Sequence, residues 1–341
     1  MAPGKHQRGG KHSITLAEVA KLSGVSEITV SRVLRNKGAI ADETRKKVLL
    51  AVDQIGYVPN RVAGTLASAT SNLIGVIIPS LSNIVFPEVL RGIHAALSAS
   101  GIQAVVGVTE YDLTTEERLV RSLLAWKPHA MLVAGLDHTE ATYRMLLGAG
   151  VRVAELMDID STPIDIAVGM SHRNAGFDAG VHLLGCGYRR FGYVGHDWQR
   201  DRRARLRFDG LVAALREAGL SFVDVELHDG PSSTMAGRET LATLLARAPS
   251  IDVAVFSNDD MAVGGVFHCL AKSIAIKERL AIFGFNGLSI AAALPLPLST
   301  IRSHRFEIGK TAARMVLESS GSRGEPTIVD IGYEIVAGAT A

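Results

Sequence analysis

The chain has little of three things: cysteine, long apolar runs and net charge. Its two cysteines, Cys186 and Cys269, stand far apart without C-x-x-C spacing. Neither a disulfide framework nor a thiolate metal site is expected; both read as reduced core residues of a cytosolic protein. Apolar stretches such as LIGVII are short and bounded by Pro or Gly, well under the ~20 residues of a spanning helix, so no membrane partner is expected. The N-terminus is basic and polar with no apolar h-region, which predicts a cytoplasmic rather than a secreted protein. No G-x-G-x-x-G follows a strand, because the GAG at Gly148 lacks its third glycine, and neither a P-loop nor G-x-S-x-G occurs. Histidines and carboxylates are scattered without metal-ligand spacing. An enzyme, a cofactor and a metal are therefore not expected.

What is present is a folded composition, 47% hydrophobic and 21% charged over 341 residues, long enough for two or three domains. The net charge of +2 hides a gradient. Residues 1–70 hold 11 Lys and Arg against 5 Asp and Glu, leaving 25 against 29 in the remainder. A basic head on a mildly acidic body assigns phosphate contacts to the head.

The head is organised around residues 15–36, TLAEVAKLSGVSEITVSRVLRN. Leu16, Val19, Ala20, Val25, Val30, Val33 and Leu34 recur at helical spacing on either side of Gly24, the pattern of a helix-turn-helix. Thr15 with Glu18 forms a capping box, and Ser26 is a natural N-cap for the second helix. Turning the apolar positions inward leaves Glu27, Ile28, Ser31, Arg32 and Arg35 on the outer face. Those residue types read base edges, although any amphipathic hairpin also has a polar face. A third helix follows, with Val48, Val52 and Ile55 on one side and Gly56 at its end. Before the head, residues 1–13 carry Lys5, Arg8, Lys11 and His12 among Gly and Ser, a flexible arm that touches phosphates or is simply a tail. After it, Pro59 blocks the third helix, and residues 61–67 read either as a marginal hinge helix or as a plain linker.

From Leu73 the character changes. LIGVIIP, QAVVGV, HAMLVAG, RVAEL and IAVGM read as strands, and a second set follows in RRFGYVG, DVELHD, VAVFSN, LAIFGF and LSTIRS. Helices such as FPEVLRGIHAALSAS and TTEERLVRSLLAW lie between them. Runs of β-branched residues without polar alternation indicate strands buried on both faces. The fold class expected is an all-α helix-turn-helix head with a hinge helix, then an α/β body of two doubly wound parallel-sheet lobes. A ligand cleft is expected at the carboxyl ends of the strands.

With head, hinge and two-lobed body in that order, the chain resembles the LacI/GalR family of bacterial transcriptional repressors. The segment TLAEVAKLSGVSEITVSRVLRN followed by GYVPNRVAGTL carries the resemblance, with SNDDMAVGG and GFNG in support. FPEVLRGI, SLLAW, ELMD and DIAVG look closest to the gluconate-operon repressors within it. The resemblance implies a periplasmic-binding-protein-like body and four segments: an arm at 1–13, the DNA-binding domain at 14–58, a hinge at 59–71 and the effector-binding and dimerisation domain at 72–341. It implies base reading by Glu27, Ile28 and Arg32, with Thr15, Ser26, Thr29 and Ser31 on phosphates. Leu66 matches the family's minor-groove wedge, flanked by Ala63 and Ala67. For the effector it implies Asn83, Phe86, His138, Asp158, Arg207, Asn258 and Asp259, with Arg207 as the gripping arginine. Arg200, Arg202, Arg203 and Arg205 crowd nearby and read mostly as a solvated helix face. The expected partners are a pseudopalindromic double-stranded DNA operator, a second copy of the chain in a homodimer, and a small sugar acid such as gluconate. A phosphorylated sugar acid, a sugar or a purine is an alternative effector. A secreted sugar-binding protein fits the lobes but not the basic head, and an architectural DNA-binding protein leaves the body without a role.

Overall fold

The computed structural model describes residues 14–34, 38–58, 71–318 and 323–341. The chain falls into two compact units, Met1–Ala69 and Thr70–Ala341. In the first, α1 (Leu16–Ser23), α2 (Glu27–Leu34) and α3 (Asp42–Ile55) surround one small core. Val19, Ala20, Val30, Val33, Val48 and Ala51 are buried there, and Leu16, Val25, Leu34, Val52 and Ile55 pack against them. Each Val so buried is worth about 1.5–3 kcal/mol, which must hold a three-helix unit with little else inside. The ends are set locally. The Glu18 carboxylate accepts from the backbone of Thr15 at 2.7 Å, the Ser26 hydroxyl accepts from Thr29 N at 3.2 Å, and Gly24 and Gly56 close α1 and α3 at φ of 70° and 66°. The segment 1–13, Arg35 and the hinge residues Ala63, Leu66 and Ala67 lie outside the described residues.

The second unit is a two-lobed α/β body. The first sheet holds β1 (Leu73–Ile78), β2 (Gln103–Val108), β3 (Ala130–Ala134), β4 (Arg152–Asp158) and β5 (Ile166–Met170), interleaved with α4 (Val85–Leu97), α5 (Leu113–Leu124) and α6 (Glu140–Gly148). The second holds β6 (Phe191–His196), β7 (Asp224–His228), β8 (Val253–Phe256), β9 (Ala281–Asn286) and β10 (Ser299–Ser303). With it run α7 (His172–Gly185), α8 (Arg202–Glu217), α9 (Thr234–Arg247), α10 (Asp259–Ala271) and α11 (Ser289–Ala293). The ten strands expected from sequence are all present; the inner ones are buried on both faces as parallel strands require, while β2 and β7, at sheet edges, are half-buried or exposed.

Three features go beyond that expectation. Helix α12 (Arg305–Glu318), which follows the last expected strand, packs on α4 and on β3 to β5 of the first lobe. Two further strands, β11 (Thr327–Asp330) and β12 (Tyr333–Val336), then close the outer edges, giving sheet orders β11-β5-β4-β3-β1-β2 and β12-β10-β9-β8-β6-β7. Every pairing is parallel except β12 against β10. The lobes are thus not two successive stretches: the chain passes between them near Ser171, His304 and Gly332. Among the described residues no helix is long and apolar enough to cross a membrane.

Candidate functional site

On the head, burial of Val30 and Val33 fixes the rotation of α2 and turns the opposite stripe outward. Glu27 and Arg32 are exposed and Ile28 is 68% exposed, a large apolar side chain with no place in the head's own core. The hydroxyls are less free. Ser26 and Thr29 lie 2.9 Å from one another, and Thr15 donates to Glu18 at 3.0 Å, so both groups serve helix starts; Ser31 is half-buried. Backbone amides beside such starts carry the phosphate contacts as readily as the hydroxyls do.

In the body, the carboxyl ends of β1 to β4 meet the start of α8 across a cleft that opens to solvent. Its first-lobe wall includes Thr109, Tyr111, Glu116, Asp137 and Asp158, and its second-lobe wall Arg200, Asp201, Arg202 and Arg203. Doubly wound folds hold ligands in this position because loops and free backbone groups converge where the strands end. The backbone is strained here: Glu110 and Tyr111 take φ of 51° and 59°, and Met157, just before Asp158, takes 78°.

Asn83 and Phe86 reach the cleft through neighbours. Asn83 donates from Nδ2 to the Tyr111 hydroxyl at 3.1 Å, and the Arg203 guanidinium lies 5.3 Å over the fully buried Phe86 ring. Asp158 lines the cleft directly, and burial pushes its carboxyl above the usual carboxylate range. Asp201 caps α8 by accepting from Ala204 N at 3.1 Å. Burial opposes its charge, but Arg203, Arg207 and His196 outweigh that and hold its pKa down at about 2.

Arg207 stands deeper. Its guanidinium lies 4.0 Å over the Phe285 ring, with Nη1 3.2 Å from His172 Nδ1 and Nη2 donating to the Ser257 carbonyl at 2.9 Å. It lines a smaller second-lobe cavity, with Tyr193, Phe283 and Phe285. Burial, then Arg207 and Arg203, depress the His172 pKa, so the ring is neutral. Its Nδ1 accepts from Arg207 and its Nε2, 2.9 Å from the Met157 carbonyl, donates, which fixes one tautomer.

The remaining expected residues sit away from the lining of both cavities. His138 is enclosed between Glu116 (Nδ1 to Oε1, 2.7 Å) and Glu155 (Nε2 to Oε1, 3.3 Å). Burial works against its charge, but the two carboxylates raise its pKa to about 9. Of that cluster, Glu116 is the member that lines the cleft. Asn258 caps α10 by accepting from Met261 N at 3.0 Å. Asp259 is fully buried, its Oδ2 accepting from Leu288 N at 2.7 Å and its Oδ1 from Thr300 at 2.6 Å. Burial raises its pKa to about 6 against those hydrogen bonds. Cleft residues that the sequence reading did not name are Tyr111, Glu116, Asp137 and Asp201, and three arginines it read mostly as a solvated helix face, Arg200, Arg202 and, above all, the enclosed Arg203, line the cleft instead. One signal for the last was available: Arg203 precedes Arg207 by four residues, one helical turn on the same face.

Comparison with known proteins agrees with both units. Residues 15–60 match the bacterial regulatory proteins of the lacI family, and residues 71–333 match the periplasmic binding proteins and sugar binding domain of the LacI family. The HTH-type transcriptional regulator GntR of Pseudomonas aeruginosa is 39% identical over 325 residues, covering 95% of this chain and 94% of its own. GntR of Escherichia coli strain K12 is 33% identical over 324 residues, covering 95% and 97%. The crystal structure of a LacI family transcriptional regulator from Silicibacter pomeroyi superposes with a TM-score of 0.90 at 42% identity, covering 96% of this chain and 99% of that one. A helix-turn-helix head, a two-lobed body with a cleft at its strand ends, and relatives of this identity over nearly the full length make the chain a member of the LacI family of bacterial transcriptional regulators.

Proposed function

We propose that the protein is a cytoplasmic repressor that binds a pseudopalindromic operator as a homodimer and is released by a small sugar acid, gluconate or a derivative of it. Two heads related by a twofold axis occupy two half-sites, which is why the operator is palindromic. In each head Arg32 donates bidentately to a guanine, Ile28 packs on a thymine methyl and Glu27 accepts from a cytosine amino group. Thr15, Ser26, Thr29 and Ser31 border the phosphates, and Ala63, Leu66 and Ala67 of the hinge lie in the central minor groove. The effector sits between the lobes, where Asn83, Phe86 and Asp158 form the first-lobe side. Arg207 supplies positive charge from behind, while His138, Asn258 and Asp259 hold the walls. Binding there shifts the lobes, separates the hinges and lowers operator affinity, and the coupling is reciprocal.

The observation that carries this reading is the cleft wall itself. Three arginines face a row of carboxylates and a tyrosine in one space, the donor and acceptor mixture a polyhydroxylated acid requires. Selection of bound sequences from a random duplex pool, followed by anisotropy titration, tests it. A palindromic consensus is expected, released by millimolar gluconate without turnover of the sugar acid. A protein that binds no duplex sequence selectively, or whose complex ignores every sugar acid, overturns the corresponding half.

A further inference from the structure

Four arginines stand at the start of α8, and three of them are spoken for. Arg200 pairs with Asp197 at 3.3 Å, Arg202 reaches across the cleft to Asp137, and Arg205 pairs with Asp209 at 2.9 Å while lying 4.6 Å over the Trp198 ring. Arg203 differs. Its side chain is only 13% exposed, its nearest carboxylate is Asp201 at 3.9 Å, beyond hydrogen-bond reach, and its Nη1 is buried with no partner. A buried guanidinium N–H left unpaired is costly, and an acceptor entering the cleft would complete it. Arg207 also has one buried nitrogen without a partner, Nε, but it already spends Nη1 and Nη2 inside the protein and does not line the cleft. Phe86, beneath the Arg203 guanidinium, keeps it flat and excludes water from one face.

We propose that Arg203 is the residue that receives the anionic group of the effector, and that the ligand's hydroxyl-bearing end lies toward Asp158 and Asp137. Asp158 accepts from hydroxyls and repels a carboxylate, so the two walls give the ligand one orientation. The assignment rests on the reading of the cleft as a sugar-acid site. It makes the anion, rather than the hydroxyl pattern, the main determinant of which small molecules enter.

Isothermal titration of the full-length protein with gluconate, 6-phosphogluconate and glucitol, which keeps the chain of hydroxyls but has no charge, tests it. The wild type is expected to bind gluconate or its phosphate at least roughly 10-fold more tightly than glucitol. Arg203→Gln is expected to lose about 10- to 100-fold for the acids and nothing for glucitol, and Arg203→Lys to recover part of the loss. Arg207→Gln is expected to weaken acids and glucitol alike. Equal wild-type affinity for gluconate and glucitol overturns the assignment without any variant, as does an Arg203→Gln protein that keeps its affinity for the acids. Wild-type protein that takes glucitol or other neutral sugars but no acid overturns the sugar-acid reading as well, so the two failures are told apart.

Discussion

His138 gives the clearest case of a side chain whose surroundings set its charge. Enclosed between Glu116 and Glu155, it holds its proton to about pH 9, above the ordinary 6.5 of an unfolded chain. Below pH 6.5 the imidazole is charged in both states and the enclosure stabilises the fold in full. As pH rises through about 9 the folded chain loses the proton too, and that stabilisation is gone. Stability is therefore expected to fall across pH 6.5–9 by an amount on the order of 3 kcal/mol. Urea unfolding of the wild type and of His138→Gln at both ends of that window checks it. The wild type should slope and the variant should be less stable at pH 6.5 and flat; a flat wild-type curve removes the charged enclosure. In the sequence His138 is an isolated histidine, and no local pattern announces two glutamates 22 and 17 residues away. The same holds for the arginines of QRDRRARLR, which look alike in a string. Only the rotation of α8, set by burial of Ala204, Leu206 and Leu211, decides that Arg203 is enclosed at the cleft, Arg202 reaches over it to Asp137 and Arg205 turns away to Asp209.

At the scale of helices and strands, the apolar elements and even the polar edge strand β7 were legible, but the last two short strands were not. TIVD and YEIV, which form β11 and β12, are four residues each and half-buried or exposed at sheet edges, so they lack the apolar run that marked the inner strands. Nor does any string show that α12 packs on α4, two helices more than 200 residues apart. What fixes such pairings is the close approach of backbones. Gly92 of α4 lies against the Phe306 carbonyl of α12, and Gly309 of α12 against the Val89 carbonyl of α4. The same reciprocal contact joins α9 and α10 through Gly237 and Gly264. A Cβ at these positions falls inside a carbonyl oxygen of the facing helix, which cannot give way without moving the whole helix. Gly264→Ala and Gly92→Ala are expected to cost about 2–4 kcal/mol. Gly148→Ala, in open space at the end of α6, should instead stabilise by about 0.4–1 kcal/mol through the unfolded chain. Denaturation midpoints compare the three directly; a neutral Gly264→Ala removes the close-contact argument.

For the molecule as a whole, the segregation of charge and the route of the chain point to two separable binding functions. Each of the three passages between the lobes is pinned by a carboxylate. Asp160 accepts from His172 N at 2.7 Å, Glu88 from Arg305 at 2.8 Å, and Asp330 from Gly332 N at 2.8 Å. Only three short stretches of backbone join the lobes, so the response to the effector proposed above would pass through them while the sheets remain intact. The cleft's charged groups lie within a few ångströms of one another, Arg202 against Asp137 and Arg203 near Asp201, and partly out of solvent, where salt screens weakly. The head instead carries a surplus of six basic residues within 1–70, the charge that displaces counterions from DNA. Raising salt from 50 to 200 mM is accordingly expected to lower operator affinity by roughly 10³- to 10⁵-fold for six to ten phosphate contacts. Sugar-acid affinity over the same range should fall by less than about 10-fold, since one buried ion pair is at stake. Anisotropy with selected operator and calorimetry with gluconate, at matched salt, measure the two slopes. Parallel slopes would mean that the DNA is held by the body as well as the head, and the division of labour drawn from the charge gradient would fall.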